Sequence, residues 1–290
     1  MKTLLSLLLL ASYFAGAQDK PILVEAQWLQ QNLSDPKIVI LQTTGMKYDY
    51  DREHIAGARY LWPALLAPDS PYGAFNAPDI NKATELLRSF GINNDSHVIL
   101  CHVRNDVSVT ARMFLTLENL GLRGRVSFLN GGLEAWKKEG YAVTAEVPVV
   151  KPGKFNATPG RLLVDKNYVL NTLKSDNGTV VDARAKNFYD GDPTGNPRDG
   201  HITGAKNIPF LEMIDANNLY KFKPLEQLEG YFNPVVPDKK KEIVTYCFIG
   251  QTASVVYMAG RLLGYDVKLY DGSLQEWSRL EELPMEKTNK

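Results

Sequence analysis

The chain repeats its own pattern, and this duplication constrains the fold more strongly than any other feature of the sequence. Three short segments of the first half recur in the second half, in the same order and at nearly constant spacing. The pairs are HIAGA at 54–58 with HITGA at 201–205, HVILC at 97–101 with IVTYC at 243–247, and LNGGLEAW at 129–136 with YDGSLQEW at 270–277. Internal similarity of this kind indicates a tandem repeat. The 290 residues therefore predict two domains, each of ordinary size.

A segment rich in proline and glycine separates the two copies. It reads EVPVVKPGKFNATPG over residues 146–160 and has no apolar periodicity, which is typical of a linker. The predicted organisation is therefore a first domain over 18–145, a linker over 146–160 and a second domain over 161–290.

The first 17 residues have the pattern of a secretory signal peptide. Lys2 is followed by an apolar run over 4–14 and by the small residues Ala-Gly-Ala at 15–17. The run is short for a bilayer span, so an uncleaved membrane anchor is the weaker interpretation. We expect cleavage before Gln18, no membrane span afterwards, and an exported protein that is periplasmic in a bacterium.

The charge balance excludes a general attraction to polyanions. Thirty-three basic residues offset 33 acidic ones, so no overall field favours nucleic acid or an anionic membrane, and a small anionic substrate must be held by local groups. The only cysteines are Cys101 and Cys247. They could form one disulfide, but a chain of this size does not need one to be stable.

Short apolar runs alternate with longer amphipathic ones in both copies. The predicted strands are 38–41, 98–101, 126–129, 180–182, 243–247 and 267–270, and the predicted helices are 80–90, 109–120 and 252–263. Alternating strands and helices indicate an α/β fold in which each domain is a parallel sheet flanked by helices. Such sheets place their functional sites beyond the carboxyl ends of the strands.

Cys247 lies at such a position, between a predicted buried strand and a predicted helix. A short loop that enters a helix directs several backbone N–H groups inward, and these can stabilise an anion such as a thiolate. Gly250 permits the sharp curl because glycine tolerates positive φ. The alternative is an inert buried cysteine that closes a strand, which cysteines often are.

Five motifs of the second copy together form a known pattern: VDAR at 181–184, GHITGA at 200–205, NIPF at 207–210, CFIGQTA at 247–253 and YDGSLQEW at 270–277. The first copy matches the same pattern at HIAGA (54–58) and at Asn130, Gly131, Gly132 and Trp136. On these motifs the two copies resemble rhodanese domains, and their tandem arrangement is similar to the thiosulfate and 3-mercaptopyruvate sulfurtransferase family.

The resemblance implies a ping-pong transfer of sulfur. The Cys247 thiolate would take a sulfur atom from thiosulfate or a related donor and would pass it, as a persulfide, to cyanide or a thiol. No cofactor or metal is implied, and we expect a monomer. The implied substrate-binding residues are Arg184, Phe248, Ile249, Gly250, Gln251, Thr252 and Ala253.

Other roles remain open for several of these residues. Arg184 could hold an anionic donor through two N–H groups, or it could form a structural salt bridge. Asp182, His201 and Trp277 are expected to fix the loop and the core rather than to react.

The sequence departs from the family pattern where the family selects its donor. Thiosulfate enzymes carry basic residues after the cysteine and mercaptopyruvate enzymes carry Gly-Ser, whereas this chain has Phe248 and Ile249. Asp190 stands where mercaptopyruvate enzymes have a second arginine. The donor is therefore open, and a catalytically weak binding or sulfur-carrier module is the alternative function. A cysteine phosphatase is excluded because Ala253 and Ser254 stand where its loop needs an arginine.

The first copy is expected to be non-catalytic. Gly121 follows Cys101 by 20 residues, whereas Gly264 follows Cys247 by 17, and no glycine stands three residues after Cys101. This spacing predicts a loop three residues longer, which could not curl round the sulfur in the same way. Cys101 is therefore predicted to be structural or weakly reactive.

Overall fold

The structure, a computed structural model, describes residues 19–71, 73 and 75–288. The predicted signal peptide over 1–17 lies outside the described residues. Within the described ranges, no helix is both long enough and apolar enough to cross a bilayer.

The first domain is built around one sheet. Its strands are β1 (Leu23–Val24), β2 (Ile38–Thr43), β3 (His54–Ile55), β4 (Arg59–Leu61), β5 (His97–His102), β6 (Val126–Leu129) and β7 (Val143–Thr144). Its helices are α1 (Ala26–Asn32), α2 (Lys47–Arg52), α3 (Ile80–Ser89), α4 (Val107–Leu117) and α5 (Gly132–Lys138), with a 3₁₀ turn at Pro63–Leu65 and a π turn at Glu118–Leu122. Five strands form a parallel sheet in the order β1-β6-β5-β2-β4.

The second domain repeats this arrangement. Its strands are β8 (Leu163–Val164), β9 (Gly178–Asp182), β10 (His201–Ile202), β11 (Lys206–Asn207), β12 (Ile214–Asp215), β13 (Lys221–Phe222), β14 (Glu242–Tyr246), β15 (Val267–Tyr270) and β16 (Met285–Glu286). Its helices are α6 (Lys166–Leu173), α7 (Lys186–Asp190), α8 (Leu225–Phe232), α9 (Ala253–Leu262) and α10 (Ser273–Trp277), with a 3₁₀ turn at Phe210–Met213. The parallel sheet has the order β8-β15-β14-β9-β11, which matches the first sheet strand for strand. The predicted α/β fold, two parallel sheets flanked by helices, is confirmed.

Local sequence signals explain where the helices begin and end. The Asp79 carboxylate accepts hydrogen bonds from the N–H groups of Asn81 and Lys82 and so caps the start of α3. Helix α9 is apolar on nearly every side because it is buried, and the chain leaves it through Gly264 in the left-handed region, at φ +84°.

The two domains share one apolar core. Helices α4 and α9 pack against each other, and a single cluster of buried side chains includes Phe114 and Leu117 of the first domain with Val256 of the second. A buried ion pair also crosses the interface, because Glu118 accepts hydrogen bonds from Arg261 and from the Tyr257 hydroxyl, each at 2.6 Å. The interface therefore brings the helices that follow Cys101 and Cys247 side by side.

Candidate active site around Cys247

Cys247 directly follows β14, the central strand of the second sheet, and is only 1% exposed. Helix α9 begins six residues later at Ala253, so the connecting loop is short. Gly250 takes the left-handed conformation at φ +78°, which turns the chain back on itself between strand and helix. The sequence-predicted residues from Phe248 to Ala253 thus lie in one tight loop beside the cysteine.

The backbone N–H groups of this loop have no hydrogen-bond acceptor among the described residues. From Phe248 to Ala253, six consecutive N–H groups donate to no residue in the described part of the chain. The carbonyl side of the loop is fixed instead, since the oxygens of Cys247 and Phe248 accept from the N–H groups of Leu274 and Gln275, at 3.0 and 2.9 Å. A curled loop with free N–H groups at a helix start can hold an anion.

Ser273 supports the cysteine from the start of helix α10, which follows the neighbouring strand β15. Its hydroxyl lies 3.4 Å from the Cys247 nitrogen, in a long hydrogen bond, and donates to the Tyr270 carbonyl at 3.0 Å. Ser273 is fully buried and has φ of +48°, whereas glycine, Gly132 at φ +57°, occupies the corresponding place in the first domain. Ser273 is not among the predicted site residues, although a serine aligned with a glycine of the first copy is a visible signal in the sequence. A strained serine here points to a use for its hydroxyl.

Arg184 lies inside the second domain and is bound mainly by Asp182. Its Nε donates to both carboxylate oxygens of Asp182, at 3.0 and 3.1 Å, and Nη2 donates to the same carboxylate at 2.6 Å and to the Gly200 carbonyl at 2.7 Å. Both side chains are completely buried. Nη1 is also buried and has no hydrogen-bond partner among the described residues. The two-donor fork expected for an oxyanion is therefore engaged by Asp182, and Nη1 is the nitrogen that remains for a donor.

The charge of Arg184 is retained in this apolar setting. Burial by itself would lower the pKa of Arg184, but the hydrogen bonds and the charge of Asp182, together with Tyr246 and Cys247, raise it above the usual value. The guanidinium also lies 4.9 Å from the centre of the Phe248 ring, and Phe188 meets that ring edge-on at 5.4 Å. Arg184 and Phe248 thus form one contact group next to the loop.

The remaining loop side chains divide between the two domains. The Gln251 amide donates to the Ser108 hydroxyl of the first domain at 2.8 Å, so its side chain faces helix α4. Ser254 bonds back to the Gly250 carbonyl at 3.0 Å, and Ala253 is completely buried. Ile249 and Thr252 are partly exposed. The predicted substrate contacts of these residues stay predictions.

His201 and Trp277 make structural contacts within the second domain. His201 Nδ1 lies 2.7 Å from the Tyr189 carbonyl, and its ring stacks on the Tyr189 ring at 3.7 Å. The Trp277 indole donates to the Pro284 carbonyl at 3.1 Å. Neither contact involves the Cys247 loop.

The connection after Cys101 differs from the expectation. Helix α4 begins at Val107, six residues after Cys101, so the two loops are equally long and the predicted three-residue insertion is wrong. The extra residues lie at the other end of the helix, where α4 continues into the π turn before the chain leaves through Gly121 at φ +105°. The curl is also present, because Arg104 takes φ of +49° at the place of Gly250.

Cys101 is nevertheless enclosed differently. It lies within β5 rather than after its strand, is 0% exposed, and its sulfur lies 3.7 Å from the His102 carbonyl. Burial, with a smaller contribution from the charge of Glu134, raises the pKa of the Cys101 thiol far above its ordinary value. A thiol that stays protonated is a poor nucleophile. The low reactivity of Cys101 stays a prediction, which burial of the thiol supports and the predicted longer loop does not.

A hairpin of the second domain packs beside the Cys101 loop. Strands β12 and β13 bring the Phe222 ring to 5.8 Å from Phe128, whose own ring lies 5.4 Å from His102. The Phe222 nitrogen donates to the Asn130 side chain at 3.0 Å. The second domain of the same chain thus covers the strand ends of the first domain. Both cysteines are free thiols.

No group of three or more histidine, cysteine, aspartate or glutamate side chains within the described ranges has the arrangement of a metal site. The polar groups that the described structure places at the Cys247 site are its thiol, the backbone N–H groups of its loop and Arg184.

Comparison with known proteins supports the same organisation. The family model for the rhodanese-like domain matches the chain twice, at residues 25–139 and 165–280. The sulfur carrier protein TtuD of Thermus thermophilus is 32% identical in an alignment that covers 94% of this chain and 99% of that protein.

Two named sulfurtransferases are similar over nearly as much of the chain. Rat thiosulfate sulfurtransferase is 31% identical, over 89% of this chain and 92% of that protein. The 3-mercaptopyruvate sulfurtransferase of Escherichia coli is 28% identical, over 91% and 97%.

Solved structures share the fold. The crystal structure of SseA from Escherichia coli, described as a 3-mercaptopyruvate sulfotransferase, has a TM-score of 0.74 and 26% identity, over 88% of this chain and 99% of that one. EanB in complex with ergothioneine has a TM-score of 0.81 at 22% identity, over 93% and 70%. At that lower identity the likeness concerns the fold alone.

Proposed function

Because the chain belongs to the rhodanese family, we propose that it transfers sulfur through a persulfide at Cys247. One observation carries the proposal. Cys247 opens a loop whose N–H groups from Phe248 to Ala253 are free to hold negative charge. That arrangement supports both a thiolate and a persulfide anion, and it is available without a metal or a cofactor.

The first half-reaction loads the cysteine. The Cys247 thiolate attacks the outer sulfur of thiosulfate, a new S–S bond forms, and the sulfur–sulfur bond of thiosulfate breaks. Sulfite leaves with the bonding electron pair, so the enzyme carries a persulfide anion and the total charge is unchanged. This covalent step splits one difficult transfer into two easier ones.

The second half-reaction unloads it. An acceptor nucleophile, cyanide or a thiolate, attacks the terminal sulfur, and the Cys247 thiolate is released as the leaving group. With cyanide the product is thiocyanate, and with a thiolate it is a new persulfide. The loop N–H groups hold the charge as it returns to the cysteine sulfur.

Arg184 is the proposed anchor for an anionic donor. Its Nη1 nitrogen lies buried with no partner in the described chain, and an unpaired buried donor is satisfied when an anion enters. Asp190 stands where mercaptopyruvate enzymes carry a second arginine, and here it pairs with Lys186 at 2.7 Å. We therefore propose thiosulfate or a related donor first and 3-mercaptopyruvate second.

Sulfur loading of the purified protein tests this function directly. The protein is incubated with thiosulfate or with 3-mercaptopyruvate, and its intact mass is recorded. We expect a gain of one sulfur atom that is lost in Cys247→Ser and kept in the matched variant Cys101→Ser. Absence of loading with either donor, or loading that persists in Cys247→Ser, would contradict the proposal.

A sulfur carrier is the second candidate function. The Phe248 and Phe188 rings present apolar surface beside the loop, where a protein acceptor could dock, and TtuD is named a sulfur carrier protein. In this case the loaded persulfide would be long-lived and would turn over slowly with cyanide. Measuring persulfide decay by mass, with and without cyanide, separates a carrier from a rapid sulfurtransferase.

We further propose that the mature protein is exported and monomeric. The pattern of residues 1–17 supports export, and the loop contacts made by Ser108 support a monomer because one chain supplies both sides of the site. N-terminal sequencing of the exported protein should begin at Gln18, and light scattering should give the mass of one chain. A product that begins at Met1, or a dimer mass, would contradict these two points.

A further inference from the structure

The helix that follows Cys101 contacts the loop that follows Cys247. Ser108 and Arg112 lie four residues apart on α4, so their side chains leave the same face of the helix. Ser108 accepts a hydrogen bond from Gln251, and Arg112 Nη1 lies 3.5 Å from the Gly250 carbonyl. The first domain therefore reaches the second domain's candidate active-site loop at two successive residues.

Arg112 also holds the segment on the other side of the cysteine. Its Nη2 donates to the Asp271 carboxylate at 2.6 Å, and the arginine side chain is 0% exposed. The same carboxylate accepts from the Ala77 nitrogen at 2.9 Å. A fully buried guanidinium needs such partners, because burying an unpaired charge is costly.

Asp271 connects Arg112 to the cysteine through two residues of chain. It begins the turn that ends at Ser273, and the Ser273 hydroxyl accepts the Cys247 N–H. One guanidinium thus contacts Gly250 on one side of Cys247 and Asp271 on the other. Movement of Arg112 would release both segments at once.

Gly250 fits closely against this guanidinium. A Cβ atom at Gly250 would lie 3.0 Å from Arg112 Nη1, closer than side chains normally approach. The glycine therefore serves the left-handed curl and also makes room for the arginine. The same contact places the Gly250 carbonyl towards Arg112, which leaves the N–H groups of the loop for the cysteine side.

We propose that Arg112 of the non-catalytic domain is a positioning residue for Cys247, with Ser108 as its support. By fixing Gly250 and Asp271 it keeps the loop N–H groups in the arrangement that stabilises the thiolate. The first domain then contributes to the reaction through α4 and not through Cys101. The expected effect of Arg112 on sulfur loading rests on the proposed sulfur transfer. The expected effect of Arg112 on the alkylation of Cys247 does not.

The test compares Arg112→Lys and Arg112→Met with Glu118→Gln. Glu118→Gln breaks a different buried ion pair between the domains, with Arg261, that does not contact the loop. It therefore serves as the matched control for weakened domain packing. Lysine can pair with Asp271 but cannot contact Gly250 at the same time, so Arg112→Lys separates the loop contact from the charge.

Three quantities are measured for each variant: the melting temperature, the alkylation rate of Cys247 by iodoacetamide across pH, followed by peptide mass, and the rate of sulfur loading. We expect Glu118→Gln to lose stability while keeping both rates. Arg112→Lys should keep the fold and lose on the order of 100-fold in sulfur loading, with an alkylation profile shifted to higher pH.

The outcomes distinguish this inference from the proposed function. If the wild type takes up no sulfur, the function fails, but the alkylation comparison still tests Arg112. If both Arg112 variants alkylate and load sulfur as the wild type does, or if Glu118→Gln loses the rates equally, Arg112 has no positioning role.

Discussion

Arg104 in the first domain and Gly250 in the second occupy the same backbone position, three residues after their cysteines, and both are left-handed, with φ of 49° and 78°. The duplicated loop has thus kept its curl in both copies. What differs is the surroundings: Cys101 lies inside its strand, and Cys247 lies at the start of its loop. The two loops therefore share their conformation and differ in where the cysteine stands relative to its strand.

Gly250→Ala should damage the site more than the fold. Alanine in the left-handed region costs about 1 to 2 kcal/mol of unfolding free energy, and its Cβ would also press on Arg112 Nη1. Gly264→Ala is the matched control, because Gly264 has φ of +84° and open space at the Cβ position. We expect similar losses of stability in urea unfolding, but a loss of sulfur loading, on the order of 100-fold, only in Gly250→Ala. Equal loading rates in the two variants would show that the loop tolerates displacement.

Arg184→Met should destabilise the second domain and weaken donor binding together. Removing one member of a buried ion pair leaves Asp182 unpaired and costs about 3 to 5 kcal/mol of unfolding free energy. Loss of the Nη1 contact should lower kcat/KM for thiosulfate by about 10- to 100-fold. Arg198→Lys is the control, since the partners of Arg198 within the described chain are all backbone carbonyls, among them those of Trp277 and Leu283.

For Arg184, urea unfolding and steady-state kinetics are measured on both variants. Arg198→Lys should lose stability and keep its KM for thiosulfate. If Arg184→Met keeps the wild-type kcat/KM, the arginine is purely structural and the donor is anchored elsewhere.

The two possible truncations of Ser273 should differ in stability, with Ser273→Gly the more stable variant. Both substitutions lose the hydroxyl contacts, at about 1 kcal/mol, but Ser273→Gly also removes backbone strain of order 1 kcal/mol, whereas Ser273→Ala keeps it. Both remove the acceptor of the Cys247 N–H, so both should slow sulfur loading. Thermal unfolding with loading by intact mass checks this. If Ser273→Gly takes up sulfur at the wild-type rate, the Ser273 hydroxyl has no role in sulfur loading.

How far the sequence predicts this molecule depends on the kind of contact. The duplicated motifs and apolar runs are local or strictly repeated. They placed three strands of each five-stranded sheet, and the helix that starts at Ala253, within a residue or two. The three-residue offset between the copies was assigned to the wrong end of α4, because spacing alone does not say where an insertion lies.

Contacts between the domains were not predictable in the same way. An arginine in the largely apolar helix α4 was the visible signal for Arg112, but its partners lie at Gly250 and Asp271, far along the chain. The hairpin of β12 and β13 was missed because each strand has only two residues and shows no periodicity. Arg104 in the left-handed region carries no sequence signal, since arginine adopts that conformation rarely.

His102 should make the fold sensitive to acid. It is completely buried, and burial lowers its pKa from 6.5 to about 4. Its Nδ1 lies 3.0 Å from the Arg104 carbonyl and so carries the proton of the neutral ring, while Nε2 has no partner among the residues that the structure describes. Protonating Nε2 would place an uncompensated charge in the core, so the native state resists it.

The direction of this pH dependence follows from the difference in proton binding between the folded and the unfolded state. Between pH 6.5 and pH 4 the unfolded state holds a proton on this histidine that the folded state lacks, so stability is full above about pH 6.5 and falls as the pH drops towards 4. A shift of this size corresponds to about 3 kcal/mol. His97, whose pKa burial also lowers to about 4, adds a loss in the same window.

Urea unfolding at a series of pH values from 7.5 to about 4 measures this dependence for the wild type and for His102→Gln. Glutamine does not titrate, so the unfolding free energy of His102→Gln should fall less with decreasing pH than that of the wild type. The part of the fall that is due to His97 should remain. The variant should be less stable than the wild type at neutral pH, because it disturbs a packed core, and the two curves should converge towards pH 4. Parallel curves would mean that His102 takes up its proton equally well in the folded protein, and that the acid sensitivity arises elsewhere.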